Sequence, residues 1–185
     1  MADSKTQSIA SPEIVAIAEL SEDANRAFRE NSSPAEYLAQ LSDAGLFPDA
    51  VKYWAHALEG RSCVLWSLSC IRKLRPDPAP PEQAAIQAIE KWLAEPNDEN
   101  RRAAKLAAEE ADLSTPAGCV AMAVFFSEGS IAPPQREAVP PPPHLAEKVA
   151  AGGILLAVVD DPVNAVERYE LCVQLGREVA AGMAS

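Results

Sequence analysis

The chain has 185 residues, 27 of them acidic and 16 basic, for a formal net charge of −11; 48% is hydrophobic but only 5% aromatic. At this length a compact fold buries roughly 70% of the surface that its unfolded chain exposes, so a core forms without disulfides or metals. The acidic balance argues against a surface of clustered Lys and Arg for phosphates, so neither nucleic acid nor membrane insertion is expected.

Alanine supplies 35 positions, and alanine has the best helix propensity of any residue. The N-terminus, Met1-Ala2-Asp3-Ser4-Lys5, has no basic run leading into an apolar one. Its first apolar cluster, Ile14 to Leu20, is broken by Glu19. No signal peptide is expected. Residues 1–32 read as an N-terminal segment, partly flexible and with short helices, ahead of a single helical domain over 33–185.

The helix signals begin at Ser33-Pro34-Ala35-Glu36, an N-cap Ser, a first-turn Pro and a capping-box Glu before Tyr37, Leu38 and Leu41. That helix is expected to stop at Gly45. Asp49 opens the next, with Val51, Trp54, Ala55 and Leu58 on one face and Gly60 at its end. From Arg61 a third helix carries Val64, Leu65, Leu68, Ile71 and Leu74 as a stripe, with Arg72, Lys73 and Arg75 at the negative end of its dipole. The tight turn at Gly60 predicts an antiparallel hairpin.

Pro76 to Pro81 reads as a rigid connector, because its prolines donate no backbone hydrogen bonds. A second hairpin follows, with Ala85, Ile86, Ile89, Trp92 and Leu93 on its first helix. Asn97 is the N-cap of its second, in which Asp98 and Glu99 sit at the positive end. Thr115-Pro116 then starts Val120 to Phe126, apolar all round and so a candidate central helix. A third pair is predicted over Leu145–Val159 and Val163–Met183, around Asp160-Asp161-Pro162. Gly152 and Gly153 lie inside its first helix, where each costs about 1 kcal/mol relative to Ala, and both are expected to be buried at a close helix approach. Val149 to Val159 is the most apolar stretch and is far short of the ~20 residues that span a bilayer.

The fold class is therefore all-α: an irregular stack of antiparallel helix hairpins, with a HEAT- or TPR-like solenoid as the regular alternative. Trp54 and Trp92 are 38 residues apart, near a HEAT period, but the third pair breaks the spacing.

Residues 128–143 stand apart as a proline-rich connector ending in Val139-Pro140-Pro141-Pro142-Pro143. Consecutive prolines favour polyproline II, which binds aromatic grooves at low entropic cost. The segment is either such a recognition strip or an ordered link lying on its own domain. No complete PPxY or charged PxxP context names an adaptor partner.

Local catalytic and metal-binding motifs are missing from the sequence. No metal, no cofactor and no catalytic residue is expected. Cys63, Cys70, Cys119 and Cys172 form no CxxC pair. Cys63 and Cys70, one heptad apart, would lie roughly 10 Å apart on a helix, beyond disulfide reach. Reduced, buried thiols and a cytoplasmic home are expected. The enzyme alternative assembles a site from distant residues, His56, Cys63 and Ser127. Trp54, Trp66 and Trp92 are the large anchors, for the core or for a partner. The partner-binding candidates are Trp54, Trp66, Val139, Pro140, Pro141, Pro142 and Pro143; the oligomeric state is not readable.

Three blocks carry a resemblance: Phe47-Pro48-Asp49-Ala50-Val51 with Trp54 to Leu58, Arg61 and Trp66; Thr115 to Gly118 with Phe125 to Ser130; and Val139 to Pro143. Over residues 47–160 the chain resembles a bacterial family of helical proteins of uncharacterised function. Members carry a fuller aromatic pair near Trp66 and a Trp-Ser-Gly-Gly-Ser version of the segment at Phe126, and this chain departs at Leu65 and Glu128. Such proteins lie beside type VI secretion genes. The resemblance thus implies an accessory role, as an adaptor or chaperone for a secretion apparatus or its cargo.

Overall fold

The helix starts that the sequence marks with a cap at Ser33, Asn97 and Thr115 are helix starts in the computed structural model, which describes residues 11–58 and 60–182. Among the described residues the fold is all-α: ten α-helices and one 3₁₀ turn, with no strand. Of the N-terminal segment 1–32, residues 1–10 lie outside the described part, as does Met183. The remainder forms α1 (Pro12–Ile17) and α2 (Glu22–Ala27).

In α3 (Pro34–Asp43) the Ser33 hydroxyl accepts from the Glu36 N–H at 3.2 Å while the Glu36 carboxylate accepts from the Ser33 N–H at 2.7 Å. This reciprocal pairing satisfies two donors that no helix can satisfy internally. The next helix, α4 (Phe47–Ala57), begins two residues before the expected Asp49. Asp49 is buried and caps a neighbour instead: its carboxylate accepts from the Ser21 N–H at 2.8 Å and the Ser21 hydroxyl at 2.9 Å, at the start of α2.

The helix α5 (Arg61–Leu74) divides its side chains between two cores. Cys63, Trp66 and Cys70 repeat at helical spacing on one face and join the first core, with Tyr37, Leu41, Trp54, Ile154 and Cys172. Val64, Leu68 and Ile71 on the other face join the second, with Ile89, Trp92, Val120 and Phe125. Each fully buried Leu or Ile contributes about 1.5–3 kcal/mol.

Helices α6 (Pro80–Ala94) and α7 (Asp98–Ala111) pack together as the expected second hairpin. Pro80 and Pro81 belong to the first turn of α6 rather than to the connector, because proline tolerates the helix start. The Asn97 side chain caps α7, accepting from the Asn100 N–H at 2.8 Å. The apolar α8 (Pro116–Phe126) is enclosed by α5, α6, α7 and α9 (Leu145–Val159), with only Cys119 and Phe126 half-buried.

Two of the three expected hairpins differ. α4 touches α5 only lightly, and both pack mainly on α9 and α10 (Ala165–Ala180). The chain turns by 107° between α9 and the segment beginning at Pro162, so α10 leaves at a steep angle and crosses α4 and α5. Pro162–Asn164 is a 3₁₀ turn, so α10 begins two residues after the expected Val163. The glycines also divide. Gly153 is buried at the α8 contact, where a Cβ would lie 3.0 Å from the Cys119 Cβ and the Pro116 carbonyl oxygen, whereas Gly152 is half-buried with open space beside it. No single helix among the described residues is long and apolar enough to cross a membrane.

Candidate functional site

The chain between α8 and α9 leaves the helical body as a strap, residues 127–144, and its first tether is a buried arginine. Arg101 lies on α7, three residues after Asp98, and is only 1% exposed. Its guanidinium donates to the Phe125 carbonyl at 2.6 Å and to the Ser130 carbonyl at 2.9 Å, and pairs with the Asp98 carboxylate. The charge centre sits 4.8 Å from the centroid of the Phe125 ring. The fork geometry of arginine is what lets one side chain hold two backbone carbonyls and a carboxylate together.

Arg102 reinforces the tether, donating to the same Ser130 carbonyl at 3.2 Å and to Asp98 at 2.7 Å. Arg102, then Arg101, hold the Asp98 carboxyl below its usual range. Gly129 is in the left-handed region, φ +69, and a Cβ there would lie 3.2 Å from three guanidinium atoms of Arg101. The backbone passes flat over the guanidinium because Gly129 has no side chain.

Ser130 then closes the base of the strap. Its hydroxyl oxygen accepts from the Ala132 N–H at 3.1 Å and the Val139 N–H at 2.9 Å, while the Ile131 N–H donates to the Val139 carbonyl at 2.8 Å. Residues 132–138 are thereby a closed loop, largely exposed. Val139 follows at 47% exposure, then exposed Pro140, half-buried Pro141, and exposed Pro142 and Pro143. The far end is held at His144, φ 59, whose ring packs edge-on against the buried His56 of α4 at 5.7 Å. Beside it Lys148 pairs with Glu19 at 2.6 Å.

The tryptophans named as partner candidates lie elsewhere. Trp66 is completely buried, and its indole N–H donates to the Cys172 carbonyl of α10 at 2.8 Å. Trp54 is 6% exposed and faces Gly176. Both are core anchors that fasten α10, and neither offers a surface in this fold. The strap candidates, Val139 to Pro143, are the accessible members of the set.

His56, Cys63 and Ser127 are not joined by any hydrogen bond among the described residues. Burial pushes the Cys63 thiol up to about 12, helped by the Glu147 carboxylate. Burial pushes His56 down to about 4, with His144 and Lys148 adding to the effect. The Ser127 hydroxyl donates to the Val124 carbonyl at 2.8 Å, at the end of α8. A thiol with so high a pKa is no thiolate nucleophile at neutral pH. Two shallow concavities of about 350 and 360 Å³ lie at Arg29–Gln40 and between Leu74 and Leu171, and none of the three residues lines either. Among the described residues no group of three His, Cys, Asp or Glu side chains is placed to hold a metal ion.

The sequence names the strap but not its tethers. Arg101 is the missed residue. Its i, i+3 spacing from Asp98 on a charged helix reads as a solvated pair, and only the tertiary fold turns it inward. A model described as "Family of unknown function (DUF6931)" matches residues 37–180, which takes in α4 to α10, the whole strap and α3 from Tyr37 on. No curated protein and no solved structure matches the chain.

Proposed function

The chain belongs to that family of unknown function, and we propose that it is a non-catalytic helical interaction module that meets a protein partner through its strap. The observation that carries the reading is the pairing of exposure with restraint. Val139 and three of the four prolines face solvent, yet both flanks are pinned, at Arg101 and Ser130 on one side and at His144 on the other. A surface ordered before binding loses less conformational freedom on association. The acidic balance adds a preference for partners with basic rims and speeds their encounter.

The role follows as that of an adaptor or chaperone for a bacterial secretion system or its cargo. That setting is supplied by the resemblance of residues 47–160, and the strap supplies the means of contact. Affinity capture from the native host with the intact chain is expected to recover a stoichiometric secretion component or effector. A chain with Pro140 to Pro143 replaced by serines is expected to lose it. Recovery of no stoichiometric partner, or of one indifferent to the replacement, overturns the proposal.

A further inference from the structure

We infer that the surface reading this strap is an aromatic-lined groove of the polyproline-binding kind, and that it reads two edges of the strap, Val139 with Pro142 and Pro140 with Pro143. The inference rests on the interaction-module reading and gives the partner a chemistry.

Four consecutive proline rings fix φ near −65°. Each residue that precedes a proline is driven to the extended ψ of polyproline II, which covers Val139 to Pro142. Such a chain has three residues per turn, so positions three apart share an edge. One edge holds Val139 and Pro142, the second Pro140 and Pro143, and the third Pro141. The exposure follows this division: Pro141 alone is half-buried, while the other four residues face solvent. The strap therefore has one edge partly covered and presents the other two.

Its backbone narrows the mode of binding. Proline has no N–H, so the strap cannot add itself to a sheet edge, and a run of four prolines cannot enter a helix-binding groove as a helix. Among the described residues the carbonyls of Pro140 and Pro141 accept no hydrogen bond, which leaves them for donors such as a groove tryptophan or tyrosine. The chain's own tryptophans offer no such aromatic surface: Trp54, Trp66 and Trp92 are 6%, 0% and 3% exposed and belong to the two cores. The half-buried Phe28, Phe47, Phe126 and Tyr169 each already face another ring of the chain, so the stacking surface that a proline edge needs is placed on the partner.

The test titrates the full chain into three purified polyproline-reading domains, of the SH3, WW and EVH1 types, following the fluorescence of each groove tryptophan. At least one is expected to bind the intact chain. The double variant P140A/P143A is expected to weaken that binding by about tenfold, as loss of an interface anchor does, and P141A by less than about twofold. Unchanged thermal melting of both variants confirms that they fold. Binding by none of the three domains, or equal weakening by P141A, overturns the inference. A host partner that depends on the strap while no domain binds would overturn the groove and leave the interaction module standing; loss of the host partner as well would overturn both.

Discussion

Trp54 lies flat against Gly176. A Cβ built on Gly176 would come within 2.8 to 2.9 Å of three atoms of the indole, closer than any real side chain tolerates. The glycine is thus a seat for the tryptophan, and it lets α10 close onto α4. Gly176→Ala would gain up to about 1 kcal/mol of helix propensity but force a buried ring to move, and overpacking costs about 1–3 kcal/mol. The ring is held on all sides, so the second effect wins and the variant is expected to be less stable by about 1 kcal/mol. Gly152→Ala is expected to act in the opposite direction, since open space surrounds that position on α9. Chemical denaturation of the two variants checks both signs, and equal shifts would refute the seat.

Arg101 is expected to be the polar residue on which the strap most depends. Arg101→Leu leaves the Phe125 carbonyl without its donor and releases Ser130, for a loss of about 2–4 kcal/mol. Arg101→Lys keeps the charge but not the fork, so it is expected to rescue only part of that loss. Amide exchange separates this role from a general loss of stability. The Ile131 and Val139 N–H groups, which close the strap, are expected to lose protection in Arg101→Leu at denaturant concentrations where the amides of α8 remain protected.

Local chemistry was readable from the chain, and distant pairing was not. Ser33 with Glu36, Asn97 and Thr115 are caps whose partners lie three residues away, so the sequence contains the whole interaction. The stripe of Val64, Leu68 and Ile71 was likewise legible as a buried face. By contrast, the turn at Gly60 suggests that α4 pairs with α5, yet both helices find most of their contacts on α9 and α10, far along the chain. Trp54 and Gly176 are similarly remote, and nothing local marks that glycine as a contact. The strap stood out by composition, whereas its anchor, Arg101, carries the signature of an exposed helix pair. What decides its burial is the return of Phe125 and Ser130 over α7, a property of the packed fold.

The four thiols are expected to differ sharply in reactivity. Cys63, Cys70 and Cys172 are buried, and burial pushes the first two thiols well above their ordinary range. Cys119 is half-buried on α8, its thiol donating to the Leu113 carbonyl at 3.0 Å, and its pKa is raised less. Because the thiolate is the reactive form, an aromatic disulfide reagent at mild alkaline pH is expected to label only Cys119 in the native protein, and slowly. The other three become reactive on unfolding. Rapid labelling of more than one thiol in the folded chain would show that the first core opens readily.

Stability is expected to fall in mild acid through His56. In the folded chain its ring is held near a pKa of about 4, first by burial and then by His144 and Lys148, with Glu19 opposing them. In the unfolded chain an ordinary histidine titrates near 6.5. Between these values the unfolded state binds more protons, so stability rises with pH across the window. The contribution is present in full above about pH 6.5 and is lost as the pH falls towards 4, reaching about 3 kcal/mol at the lower end. Carboxylates such as Asp98 and Asp161, held below their usual range by their own neighbours, add a further loss at lower pH. Comparison with His56→Leu isolates the histidine, since the carboxylates are common to both proteins. The intact chain is expected to lose stability relative to the variant between pH 6.5 and 4, and parallel curves across that window would remove His56 as the cause.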